Sequence, residues 1–117
     1  MQMKDYLLET FQFNDSSNKK LLEKIALLKA PEESIKLFSH LINCQYKWMA
    51  RIIQDPAAKT MSWWDPVYDI DKLEAAWTGS LTPWISYISE HSDEALSAEI
   101  TFIGFDGGTW AASPKDI

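Results

Sequence analysis

Seven residues, Leu7, Phe11, Asn14, Asn18, Leu21, Ile25 and Leu28, follow one another at steps of four and three. Only a helix of about 3.6 residues per turn brings positions so spaced onto one face. A helix over residues 3 to 28 is therefore predicted, with that face turned inward. Asn14 and Asn18 lie on it, and an amide left unpaired in an apolar seam is costly. They are expected either to hydrogen-bond across a bundle or to mark a polar pocket near its middle. The alternative for this stretch is a break at Asp15-Ser16-Ser17, where Ser or Asp would cap a second, shorter helix.

Pro31-Glu32-Glu33 places a proline in a first helical turn and two acids at the positive end of the helix dipole. Ile35, Phe38, Leu41, Ile42, Met49, Ile52 and Ile53 then carry a second helix over residues 32 to 54, which Asp55-Pro56 stops. Residues 56 to 70 have no periodicity and read as a long connection able to cross and cover a bundle, although Trp63-Trp64 is too apolar to hang in water. Asp71 with Glu74 fits a capping-box-like start for a third helix that carries Leu73, Trp77, Leu81, Trp84 and Ile88 and reaches about His91. Gly79 and Pro83 make a kink near Ser80 plausible. After His91-Ser92-Asp93-Glu94, the residues Ile100, Phe102 and Phe105 precede Asp106-Gly107-Gly108 and Thr109-Trp110, a small β-hairpin signal. Ser113-Pro114-Lys115-Asp116 then supplies an N-cap, a first-position proline and an early acid. Those residues announce a fourth helix, expected to be missing after Ile117 through truncation or disorder.

The 117 residues suit a single domain, 1–117, with one core. A net charge of −6, with no basic run beyond Lys19-Lys20, excludes the electrostatic footprint of a nucleic-acid binder. No stretch approaches the length of an apolar membrane span, and the N-terminus lacks a signal-peptide pattern. One cysteine, Cys44, in an apolar-periodic segment suits a reducing, cytoplasmic setting. Asn14-Asp15-Ser16 matches a glycosylation sequon, which in such a compartment is an accident. The six tryptophans are the unusual feature. Each has a large apolar body and one N–H needing a partner, so they fill a helical core or line a pocket or interface.

Two histidines and one cysteine leave any metal or nucleophile site short of groups. His40, Cys44 and Trp48 succeed one another at one-turn spacing, so the imidazole should face the bundle. It is either a hydrogen-bonded core histidine or one of two ligands, with Cys44, to a metal that wants at least three from the protein. A Cys44–His40 nucleophile pair would stay inert without a charge partner for the thiol. His91, at a helix end, reads as a surface cap. No glycine-rich phosphate loop or nucleophile-elbow serine occurs.

Phe11-Gln12-Phe13-Asn14 through Asn18-Lys19-Lys20-Leu21-Leu22, and Leu37-Phe38-Ser39-His40-Leu41-Ile42 with Trp48 eight residues after the histidine, resemble the first two helices of the DinB/YfiT-like superfamily. Phe105-Asp106-Gly107-Gly108-Thr109-Trp110 before Ser113-Pro114 resembles the hairpin ahead of that family's last helix. The resemblance implies an all-α, DinB-like four-helix bundle, often dimeric, with a divalent metal, Ni²⁺ or Zn²⁺, held by three histidines. It further implies a metal-dependent hydrolase or thiol-dependent S-transferase acting on a small-molecule substrate. His40 matches the ligand from the second helix, while the other two, a His-x-x-x-His pair of the last helix, would fall beyond Ile117. No metal is expected in the chain as it stands. The rival expectation is a non-catalytic bundle that dimerises or binds a small apolar ligand in a pocket of Asn14, Asn18, Cys44, Trp48, Trp77 and Trp84.

Overall fold

The fold is taken from a computed structural model, which describes residues 3–103 and 107–116. It is mostly helical, with one two-stranded antiparallel sheet. Helix α1 spans Met3–Ile25, α2 Glu32–Ile52, α3 Leu73–Glu90 and the short α4 Asp93–Ser97; strands β1, Ile100–Ile103, and β2, Thr109–Ala112, follow. Among the described residues, no helix is long and apolar enough to cross a membrane.

Helix α1 is continuous through Asp15-Ser16-Ser17, so the alternative of a break is set aside. It ends three residues sooner than expected, and Leu27 and Leu28 stand exposed in the turn that follows. Of the seven residues of the predicted inward face only Ile25 is buried, while Leu21 and Asn14 are exposed. The face exists but is only part-covered: Leu7, Phe11 and Asn18 are half-buried, Phe11 by stacking on Trp84.

Helix α2 stops at Ile52 rather than at residue 54 because Gln54 turns into the left-handed region, with φ of 60°. The Asp55 N–H then reaches the Ala50 carbonyl at 2.8 Å and the Gln54 N–H the Arg51 carbonyl at 3.2 Å, satisfying the last carbonyls of the helix. Asp55 goes on to cap a 3₁₀ turn over Pro56–Thr60, its Oδ1 accepting from the Ala57 N–H.

The capping box expected from Asp71 and Glu74 does not form. A 3₁₀ turn over Ile70–Lys72 leads directly into α3, whose start at Lys72 has no side-chain cap. Buried Leu73 anchors that start by packing instead. Helix α3 runs unbroken through Pro83, and the Ser80 hydroxyl donates to the Trp77 carbonyl at 2.8 Å. A side chain at Gly79 would meet the Tyr46 hydroxyl at 2.9 Å, so glycine lets α2 approach closely here.

The polar stretch after His91 holds a helix the periodicity missed. Ser92 caps α4 by accepting from the Ala95 N–H, and Asp93 accepts from the Lys4 N–H at 3.1 Å, tying α4 to the start of α1. The hairpin pairs Phe102 with Trp110 and Ile103 with Thr109, and Gly107 takes φ of 79°, which a side chain would strain. Phe105 and Asp106 of the expected turn lie outside the described residues. The predicted helix start at Ser113-Pro114 appears as a 3₁₀ turn over Pro114–Asp116, and Ile117 lies outside the described residues.

Helices α1 and α2 both pack along α3 and hardly touch each other. Phe38, Ile42, Leu73, Trp77, Leu81 and Ile25 form the larger core cluster, and Met49, Ile52 and Trp84 a smaller one. Full burial of such a side chain contributes on the order of 2 kcal/mol. The radius of gyration is 15.3 Å. A closed domain of this length is near 13 Å, so the arrangement is open.

Candidate functional site

The opening is a groove of about 670 Å³ between α1 and α2, floored by α3. The structure brings all six residues of the sequence-derived pocket into its walls: Asn14 and Asn18 from α1, Cys44 and Trp48 from α2, Trp77 and Trp84 from α3. The two α3 indoles are buried, and their N–H groups are already used. Trp77 Nε1 donates to Asp15 Oδ1 at 2.9 Å and Trp84 Nε1 to the Gln45 carbonyl at 3.0 Å, while Phe11 stacks on Trp84 with centroids 5.4 Å apart. Trp77 and Trp84 therefore offer ring faces, not donors. Of the two expectations for Asn14 and Asn18, pairing across the bundle is not seen among the described residues, and both instead line the groove, as the polar-pocket alternative had it. With the groove open they meet water, so being unpaired carries little penalty.

His40 does not line the groove. It sits half-buried on the adjoining flank of α2, where its Nδ1–H donates to the Trp63 carbonyl at 2.7 Å and its ring stacks on Trp64 at 3.9 Å between centroids. That bond sets the tautomer and leaves Nε2 with its lone pair. Cys44 Sγ lies 3.6 Å from Nε2, one turn along the helix and in the groove wall. Burial pushes the Cys44 thiol above its usual range, so it stays protonated and poorly nucleophilic near neutral pH. Among the described residues no three His, Cys, Asp or Glu side chains come together as a metal site. His91 ends α3, its ring stacked on Tyr87 and its Nδ1–H donating to the Tyr87 carbonyl at 2.7 Å.

The connection between α2 and α3 covers α2 rather than the groove. It lies on a stripe that the apolar periodicity left unread: Ser39, Asn43, Lys47 and Arg51, at four-residue steps and all buried. Ser39 Oγ accepts from the Tyr68 N–H, Asn43 Nδ2 donates to the Pro66 carbonyl, and Lys47 Nζ donates to the Met61 carbonyl at 2.7 Å. Arg51 lies between the rings of Trp48, Trp63 and Phe102, with centroids 4.5, 4.9 and 4.7 Å from its guanidinium carbon. Burial, and then the neighbouring Arg51, push the Lys47 ammonium below its usual range. The signal was present as polar residues one turn apart opposite an apolar loop. It stayed unread because polar residues at that spacing ordinarily form a solvated helix face.

No protein-family model, no curated protein and no solved structure matches this chain.

Proposed function

We propose that this chain belongs to a DinB-like four-helix bundle that binds a divalent metal, with His40 as one ligand and the others on a fourth helix seated in the groove between α1 and α2. The observation that carries this reading is the setting of His40. A metal-binding imidazole characteristically donates its second N–H to a carbonyl or carboxylate, which orients the ring and raises its basicity. Nδ1 of His40 does so to Trp63, and Trp64 holds the ring flat. Two donors, His40 Nε2 and Cys44 Sγ, do not make a site that wants three or four, so the described residues alone do not fit a bound metal.

The groove supports the fourth-helix half of the reading. Pro114, buried, and Lys115, half-buried, follow β2 and lie in its wall, beside the space such a helix would fill. Imidazole suits Ni²⁺ and Zn²⁺ alike. Either would lower the pKa of a bound water or substrate thiol, the chemistry of a metal-dependent hydrolase or a thiol S-transferase. On this reading the protein works on a small molecule, as a cytoplasmic homodimer, and its net charge of −6 speaks against nucleic acid.

Metal content of the intact protein tests the proposal. His40→Ala should abolish uptake, and an unchanged stoichiometry would reject His40 as a ligand.

The ring faces of Trp48, Trp77 and Trp84 beside the amides of Asn14 and Asn18 favour one other reading, a metal-free module that takes a small apolar ligand in the groove. A His-x-x-x-His pair encoded in the next fifteen or so codons after Ile117 supports the metalloprotein, one turn of helix separating the two rings. Its absence supports the module.

A further inference from the structure

A second cavity, of about 290 Å³, opens at the far end of α2, between the turn at Pro56–Thr60 and the hairpin. Arg51 lines it, only 7% exposed. Among the described residues its guanidinium is paired with no carboxylate, and the one acceptor it reaches is the Ile103 carbonyl, 3.2 Å from Nη2. A guanidinium has more N–H donors than one carbonyl can occupy. The rings of Trp48, Trp63 and Phe102 around it supply quadrupoles, not formal charge. Lys47, also buried and one turn away, lies outside the cavity, its ammonium donating to the Met61 carbonyl.

We infer that this cavity is a binding site for a small organic carboxylate, received by the Arg51 guanidinium. A carboxylate matches the planar fork of a guanidinium in a bidentate pair. Thr101, Thr109 and Lys59 also line the cavity, while Phe102, Pro56 and Ala58 supply apolar wall for a short carbon skeleton. One carboxylate, that of Asp55, stands in the same wall, with Oδ1 held by the Ala57 N–H. Together with the chain's net charge of −6 it disfavours a dianion, so a monocarboxylate is selected over phosphate. The site is separate from the groove and does not depend on the metal proposal.

Benzoate titrated into the full chain, followed by amide chemical shifts, tests the inference. Saturable shifts are expected at Thr101, Ile103 and Thr109. Arg51→Met should weaken binding at least tenfold. Should that buried variant not fold, Thr109→Glu decides, since it puts a second carboxylate at the cavity from an exposed strand position and should weaken binding at least fivefold. Leu27→Glu, the same charge change at an exposed site outside the cavity, should leave affinity unchanged. Non-saturable shifts, equal weakening by Leu27→Glu and Thr109→Glu, or tighter binding of inorganic phosphate than of benzoate would each overturn it.

Discussion

Trp77 Nε1 donates to Asp15 Oδ1 across 2.9 Å, fastening the second turn of α3 to the middle of α1. The Asp15 carboxylate thus serves an indole of the core instead of capping a new helix, which is one reason α1 runs straight through Asp15-Ser16-Ser17. Asp15→Ala leaves the N–H of a nearly fully buried indole without its partner and should cost about 1–2 kcal/mol. Asp15→Asn keeps an acceptor oxygen and should recover most of that loss. The Asp15–Lys19 ion pair is partly exposed and contributes little. Urea denaturation of the two variants measures the difference, and equal midpoints would contradict the assignment.

His40→Ala removes both the bond to the Trp63 carbonyl and the stack on Trp64, and should destabilise this chain by about 1–2 kcal/mol. His40→Phe keeps the stack and should lose less. Acrylamide quenching offers the independent readout, because Trp64 should become more accessible in His40→Ala than in His40→Phe. Identical quenching in both variants would show that the ring does not hold the loop.

Cys44 gives a pH signature. Its folded thiol is raised above the usual 9.0, so the unfolded chain gives up that proton first as pH rises. The stability it contributes is present in full below 9.0 and is lost as pH climbs from there through the folded value. Wild type should therefore lose stability relative to Cys44→Ala above that pH. At pH 8 the folded thiol should react with a disulfide reagent at least about threefold more slowly than the urea-unfolded chain. A parallel pH dependence of the two proteins, or equal reaction rates, would count against it.

The uncovered groove predicts association, since an exposed apolar surface of this kind drives chains together. Light scattering should show this chain dimerising or forming larger species at high concentration. Leu41→Glu, at a groove position 43% exposed, should weaken that association at least about tenfold while leaving the fold intact. A wild-type chain that remains monomeric would show that the groove is not sticky enough to need a cover.

Much of this was legible because period is a local property. The spacing from Leu7 to Ile25 specified a helix and its face, the apolar residues of α2 and α3 did the same, and Gly107-Gly108 marked the hairpin. The groove residues Asn14, Asn18, Cys44, Trp48, Trp77 and Trp84 could be assigned to one pocket, because inward faces of helices in one bundle must meet. Helix α4 was illegible: five residues are too few for a period to show, and its Ser92 cap also reads as loop.

What the sequence determined by itself was the three long helices and the direction each apolar face points, since both follow from side-chain spacing along one chain. Only the tertiary structure decided what covers those faces. It laid the loop of Trp63 and Trp64 over Ser39, Asn43, Lys47 and Arg51, burying two cations that their spacing alone would assign to water. It also left Leu21 and Asn14 open where the helical pattern had marked them as interior. The reason is physical: burial belongs to a pair of surfaces, and spacing along one helix carries no information about which other segment lies against it or whether any does.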